Sequence, residues 1–165
     1  MRHHRRVRGD AFERLYESHA QALLRYLVFR TGDRALAEDL LADTFERVLR
    51  SRARFDPRRA SEKTWLYTIA LNLVRDHARR AGVERRALET VGATEDRVEG
   101  VEEAEARGDL NLALRQLSLE DREIVALRFG ADLTLPQIAK VTRQPRTTVE
   151  GRFYRAVRKL REQMD

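Results

Sequence analysis

The chain has 165 residues, enough for one ordinary domain or two small ones, and its 33 Lys and Arg against 27 Asp and Glu give a net charge of +6 and a pI near 10.2. A polyanion is therefore the first partner to consider. Cysteine is absent, which excludes disulfides, thiolate nucleophiles and zinc–cysteine sites and fits a reducing cytoplasm. The basic start MRHHRRVRGD lacks an apolar core, and no uncharged stretch approaches the length of a membrane span. Neither secretion nor direct membrane insertion is expected.

Only 8 glycines and 3 prolines interrupt a sequence rich in Ala, Leu, Arg and Glu, which favours an all-α fold. Nearly all the positive charge is arginine, since Lys63, Lys140 and Lys159 are the only lysines. Guanidinium suits bidentate contact with phosphate and guanine, although a GC-rich genome gives the same skew. Charge also divides the chain. Residues 1–82 hold 18 basic and 11 acidic side chains, residues 83–109 hold 4 and 9, and residues 110–165 hold 11 and 7. Two small basic helical domains joined by a flexible acidic linker are expected: a basic tail over 1–9, a first module over 10–82, the linker over 83–109 and a second module over 110–165.

In chain order, Asp10 with Glu13 forms a capping-box pattern opening a helix with Phe12, Leu15, Tyr16, His19, Leu23, Tyr26 and Leu27 inward. Gly32 ends it, and Asp33 caps a second helix to about Leu49 with Leu36, Leu40, Thr44 and Val48 inward. RSRARFDPRRAS reads as a loop stiffened at Pro57, and Ser61 as the N-cap of a third helix, TWLYTIALNLVRDHARR. There Trp65, Asn72, Asp76 and Arg79 fall within roughly 40° of one line, while Leu66, Ile69, Ala70 and Leu73 form an apolar stripe. The greasy side is a core; the other needs a partner or faces water.

The second module opens with LNLALRQL as a short helix. Ser118 with Asp121 caps another to Phe129, and Thr134 with Gln137 forms a T-x-x-Q box before a short helix ending near Val141. After TRQP comes a long basic helix with Val149, Phe153, Ala156, Val157 and Leu160 inward. Short helix, tight turn and longer basic helix make a helix-turn-helix, whose second helix enters a major groove. Thr147, Thr148, Gly151, Tyr154, Arg155 and Arg158 lie on its outer side, where hydroxyls and guanidinium groups reach phosphates and base edges. A solvated terminal helix of a bundle is the plainer alternative.

Catalysis finds little support. His3, His4, His19 and His77 are scattered, and there is no H-x-x-x-H, serine elbow, paired-carboxylate loop or phosphate-cradling glycine loop. No enzyme activity, cofactor or metal is expected. A stand-alone helix-turn-helix regulator is the rival among DNA-binding proteins.

FERLYESHAQALLRYL, GDRALAEDLLADTFERV, RFDPRRASEKTWLYTIALNLVRDHARR, LRQLSLEDREIVALRF and LTLPQIAKVTRQPRTTVEGRFYRAVRKLR follow one another in the order and spacing of the extracytoplasmic-function (ECF) sigma factors, which the chain resembles. The resemblance implies a protein that directs core RNA polymerase to specific promoters and nucleates their melting. It implies that the third helix and the loop before it read the minus-ten element as single strand through Phe55, Arg58, Arg59, Ser61, Lys63, Trp65, Asn72, Asp76, Arg79 and Arg80. Such a surface needs a basic track, flat or amide side chains for exposed bases and a rigid helix behind them.

The same resemblance implies that Asp39, Leu41, Asp43, Phe45, Glu46 and Arg47 meet the polymerase clamp coiled coil, with a further polymerase contact at the flap. Arg146, Thr147, Thr148, Gly151, Arg152, Tyr154, Arg155 and Arg158 would bind the duplex minus-thirty-five element. The acidic linker would thread the polymerase channel, and an anti-sigma factor would hold the protein inactive. Three departures from the family stand out: Ala42 where glutamine is common, Arg143 where the turn usually has glycine, and T-T-V-E-G-R opening the recognition helix in place of G-T-V-K-S-R. Gly151 in that opening costs about 1 kcal/mol of helix propensity relative to alanine.

Overall fold

The computed structural model describes residues 2–91 and 113–164. Every regular element among them is helical, and they fall into two compact units, Met1–Glu99 and Gly100–Asp165. The third helix runs on to Val91, so residues 83–91, expected to open the flexible linker, are helical instead, their Ala, Arg, Glu and Leu continuing the helix without a breaker. The rest of the linker reading, 92–109, and the first residues of the LNLALRQL helix lie outside the described residues.

In the first unit, α1 (Arg2–Thr31), α2 (Arg34–Ser51) and α3 (Glu62–Val91) pack on one another, with a 3-10 turn at Arg52–Arg54. The helix expected from Asp10 starts at Arg2, so the segment read as a tail is helical backbone. Arginine favours helix, and Gly9, the poorest former before Asp10, costs only about 1 kcal/mol. Gly32 ends α1 as expected. Its φ of +69° lies in the left-handed region that glycine enters freely, and its N–H donates to Val28 O at 2.8 Å. Asp33 then caps α2 by accepting from Leu36 N at 3.1 Å.

The buried core joins Leu23, Tyr26 and Leu27 of α1, Ala37, Leu40 and Val48 of α2, and Leu66, Tyr67, Ala70, Leu71 and Val74 of α3. Three corrections follow. On α3 the buried stripe is rotated from the one expected: Tyr67, Leu71 and Val74 are inward, whereas Ile69 and Leu73 are half-buried. α3 packs against both α1 and α2, so its buried face is broader than one amphipathic stripe and is centred elsewhere. Phe45, expected at the polymerase surface, is only 4% exposed, with the Phe12 ring edge-on at 6.0 Å and the Tyr16 ring at 4.7 Å. Phe45 thus packs on two α1 rings at the α1–α2 seam, the half-buried Phe12 and Tyr16, which was expected inward but lies at the rim, 45% exposed.

The second unit starts with helical residues 113–115, followed by α4 (Leu119–Val125), a π-helical turn (Ala126–Gly130), α5 (Leu135–Thr142) and α6 (Arg146–Met164). Ser118 caps α4 by accepting from Asp121 N at 3.1 Å. Arg122 reaches back to the end of the preceding turn, donating from Nε to Leu114 O and from Nη2 to Arg115 O, both at 2.9 Å. A cation thus occupies carbonyls left open where a helix stops. The helix expected to run unbroken to Phe129 changes to π geometry at Ala126, with Ala131 N donating to Ala126 O at 3.2 Å.

Thr134 and Gln137 make both halves of the expected capping box: Gln137 N donates to Thr134 Oγ1 at 3.3 Å and Thr134 N to Gln137 Oε1 at 2.9 Å. α5 stops at Arg143, whose φ of 55° and ψ of 39° are left-handed, and α6 restarts at Arg146. Val149 and Ala156 are fully buried and Phe153, Val157 and Leu160 half-buried, which is the inward face read from the sequence.

Candidate nucleic-acid interface

In the first unit the candidate residues gather on α3 and the segment before it. Asp56 shapes that segment. Its Oδ1 accepts from Arg58 N at 2.9 Å, and its carboxylate lies 3.6 Å from the Arg58 guanidinium and 4.0 Å from that of Arg59. Both arginines are otherwise solvent-exposed, so these contacts orient them at little energetic cost to a ligand that competes for them. Ser61 caps α3, accepting from Thr64 N at 3.1 Å and donating to Thr64 Oγ1 at 3.0 Å. Its hydroxyl is thereby engaged in the fold.

Trp65 is half-buried, and the half-buried Phe55 ring lies 4.9 Å from it at 36°. These two residues, ten apart in sequence, pack on one another as a tilted aromatic pair. Asn72 and Asp76 are half-buried further along α3, and Arg79 and Arg80 are exposed one turn beyond them, with Arg79 Nη2 donating to Asp76 Oδ1 at 2.9 Å. Lys63 is half-buried beside His19, whose imidazole is held below its usual pKa by desolvation first and by the Lys63 charge second, with Glu62 opposing.

The expected polymerase-binding and minus-ten sets meet in space. Asp43, Glu46 and Arg47 of α2 and Asp76 and Arg80 of α3 line one open groove of about 310 Å³. Arg50 and His77 line it as well, and sequence reasoning had placed neither in a site. Arg50 follows Glu46 at i+4 and Arg47 at i+3, so helical spacing carried that signal. Asp39 is exposed and Leu41 half-buried on α2.

On α6, Arg146, Thr147, Thr148, Gly151, Arg155 and Arg158 are exposed, and Tyr154 is 65% exposed. Arg146 Nε donates to Glu150 Oε1 at 2.6 Å, so the acid peculiar to this recognition helix is balanced one turn from the base. Arg152 departs from expectation. Its Nη1 lies 3.3 Å from Asp121 Oδ1 and 3.4 Å from Glu120 Oε2, which ties α6 to the first turn of α4 instead of presenting the guanidinium outward. Carboxylates in a helix's first turn also favour its dipole, so this anchorage suits both helices.

An aromatic chain flanks α6: Phe129 to Phe153 at 5.9 Å and Phe153 to Tyr154 at 5.4 Å, with the Arg128 guanidinium 5.9 Å from the Phe129 ring centre. Phe129 is 66% exposed, and its only sequence signal was its place at a helix end. Among the described residues no group of His, Cys, Asp and Glu could hold a metal ion, and no helix is long and apolar enough to cross a membrane.

Residues 15–83 match the Sigma-70 region 2 family and residues 107–160 the Sigma-70 region 4 family. The ECF RNA polymerase sigma factor SigL of Mycobacterium tuberculosis is 31% identical over 89% of this chain and 85% of its own length. The chain belongs to the ECF sigma factors. The ECF sigma factor BldN of Streptomyces coelicolor is 36% identical over 92% of this chain, which spans 60% of BldN's length. The fold of the sigma factor RpoE, solved with the anti-sigma factor NepR from Bartonella quintana, is shared with a TM-score of 0.77 at 22% identity, over 93% of this chain and 96% of that one. In this ECF sigma factor, α1 to α3 thus make region 2, and α4 to α6 with the preceding turn make region 4.

Proposed function

We propose that this ECF sigma factor gives core RNA polymerase its promoter choice and helps to open the promoter, acting by binding alone and in the cytoplasm. The observation that carries this reading is the half-buried Phe55–Trp65 aromatic pair at the head of α3, followed on the same helix by Asn72, Asp76, Arg79 and Arg80. Flat rings for exposed bases, amide and carboxylate groups for their edges and guanidinium groups for the strand are what capture of single-stranded minus-ten DNA requires. Stacking contributes roughly 1 to 3 kcal/mol per base, enough for two captured bases to offset unpairing of a short AT-rich stretch. Arg58, Arg59 and Lys63 add positive charge to the track, and Ser61 supports it as the cap of α3.

Asp39, Leu41, Asp43, Glu46 and Arg47 of α2 are the proposed clamp contacts, and Phe45 holds that helix in place from the core. Arg146, Thr147, Thr148, Gly151, Tyr154, Arg155 and Arg158 are the proposed contacts to duplex minus-thirty-five DNA, with Arg152 setting the helix on its support. The polymerase flap and an anti-sigma factor are proposed partners through family membership.

The test is reconstituted transcription. Purified core enzyme with this protein should yield promoter-specific transcripts that neither component gives alone, whereas a stand-alone regulator would shift its operator unaided. In a promoter-library assay Asn72→Ala with Asp76→Ala should change minus-ten selectivity while leaving affinity for core within about twofold, a margin well below one kcal/mol. An unchanged selectivity profile removes those two residues from the site.

A further inference from the structure

A second cavity, of about 340 Å³, opens between α1 and the segment joining α2 to α3, and the base-reading surface makes no use of it. Arg14, Ser18 and His19 line it from α1, Arg52 from the 3-10 turn and Glu62 from the start of α3. Arg52 is held at one edge only. Its Nη2 donates to Glu62 Oε1 at 3.2 Å, whereas its Nη1 is shielded from solvent and has no hydrogen-bond acceptor among the described residues. A guanidinium N–H sequestered from water in this way is a strong donor without an oxygen to receive it.

The surroundings favour an anion. Arg14 and Ser18 are exposed four residues apart on one face of α1 and add a second cation and a hydroxyl. Among the described residues of the lining Glu62 is the only carboxylate, set against two guanidinium groups, and the nearby Lys63 adds to the positive field that His19 feels. The first turn of α3 stands at the rim, and the start of a helix carries partial positive charge.

We propose that this cavity is an oxyanion site that takes a phosphate group, with the Arg52 and Arg14 guanidinium groups and the Ser18 hydroxyl as its donors. Each non-bridging phosphate oxygen can accept more than one hydrogen bond, so even the two of a phosphodiester suffice for all three donors. Arg52 and Glu62 stand at the two ends of the segment carrying Phe55, Arg58 and Arg59, so a phosphate held beside Arg52 lies at the base of the loop proposed to read the minus-ten strand. A strand phosphodiester is the favoured source. That choice of source rests on the function proposed above, whereas the oxyanion site itself does not.

The experiment is NMR of the histidine side chains in the full chain while inorganic phosphate replaces chloride at constant ionic strength. His19 resonances should move saturably and its pKa should rise, because a bound anion favours the imidazolium; His77, in the other groove, should stay still. Arg14→Gln should weaken half-saturation at least fivefold, and Glu62→Gln, which removes the competing carboxylate, should tighten it two- to threefold. A purely structural role for these residues would not give opposite signs. No saturable response at His19, or equal responses at His19 and His77, overturns the site. A mixed-sequence single-stranded DNA dodecamer should then displace phosphate from His19. Phosphate binding without displacement overturns the phosphodiester source and assigns the site to a free phosphorylated ligand, while reconstituted transcription separately judges the sigma-factor reading.

Discussion

Tyr67 shows at the scale of one residue how the region 2 core is balanced. It is fully buried, its ring stands 5.6 Å from that of Tyr26, and its hydroxyl has no hydrogen-bond partner among the described residues. Burial pushes its pKa up to about 12, with the Arg25 charge opposing. The unfolded phenol ionises near 10 and the folded one near 12, so the unfolded chain loses its proton first and stability falls as pH rises through that window. Tyr67→Phe should stabilise the protein at neutral pH by about 1 kcal/mol, since an unmet buried hydroxyl is removed, and should flatten the loss of stability above pH 10. Urea denaturation at pH 7 and pH 11 checks both; a variant less stable than wild type at pH 7 would show that the hydroxyl is satisfied. Residues such as Asp33, Ser61 and Ser118 were legible in the sequence because a cap is decided within four residues. Phe45 and Arg152 were not, because the partners that turn them inward, Phe12 and Tyr16 for one and Asp121 for the other, lie about thirty residues away in the chain.

Among the elements, the turn between α5 and α6 carries the clearest departure from ease. Gln144 N donates to Ala139 O at 3.1 Å and Arg143 N to Lys140 O at 3.3 Å, closing the helix with Arg143 in a left-handed conformation that costs a side-chain-bearing residue about 1 to 2 kcal/mol. Arg143→Gly should therefore raise the stability of region 4 by about 1 kcal/mol, read as a higher urea midpoint at unchanged slope. A lower midpoint would mean that the arginine side chain repays its backbone. Helix starts on α2 to α5 were legible, and so was the inward face of α6, which has one main layer to meet. The start of α1 and the reach of α3 to Val91 were not, since a capping pattern names a possible start without forbidding an earlier one. The π turn after Val125 also escaped, because one extra residue per turn leaves no mark on an apolar pattern so short.

For the whole molecule, two basic helical modules were visible in charge and periodicity, and their match to regions 2 and 4 rests on the ordered set of motifs together. The groove shared by α2 and α3 was not visible, since it depends on how two helices meet. Charge also sets a measurable property of the recognition surface. Arg155 and Arg158 are exposed on α6, and reversing both to Glu should weaken binding of the holoenzyme to duplex promoter and reduce the magnitude of the log K against log salt slope by about 2. An unchanged slope would place that face away from phosphate. Finally, Trp65 is the sole tryptophan, and it already leans against Phe55. The protein therefore carries a built-in optical probe at its proposed melting surface: a nucleobase sliding onto that indole would dim its emission, so the arrival of a single-stranded minus-ten oligonucleotide can be timed in the unlabelled chain by stopped flow.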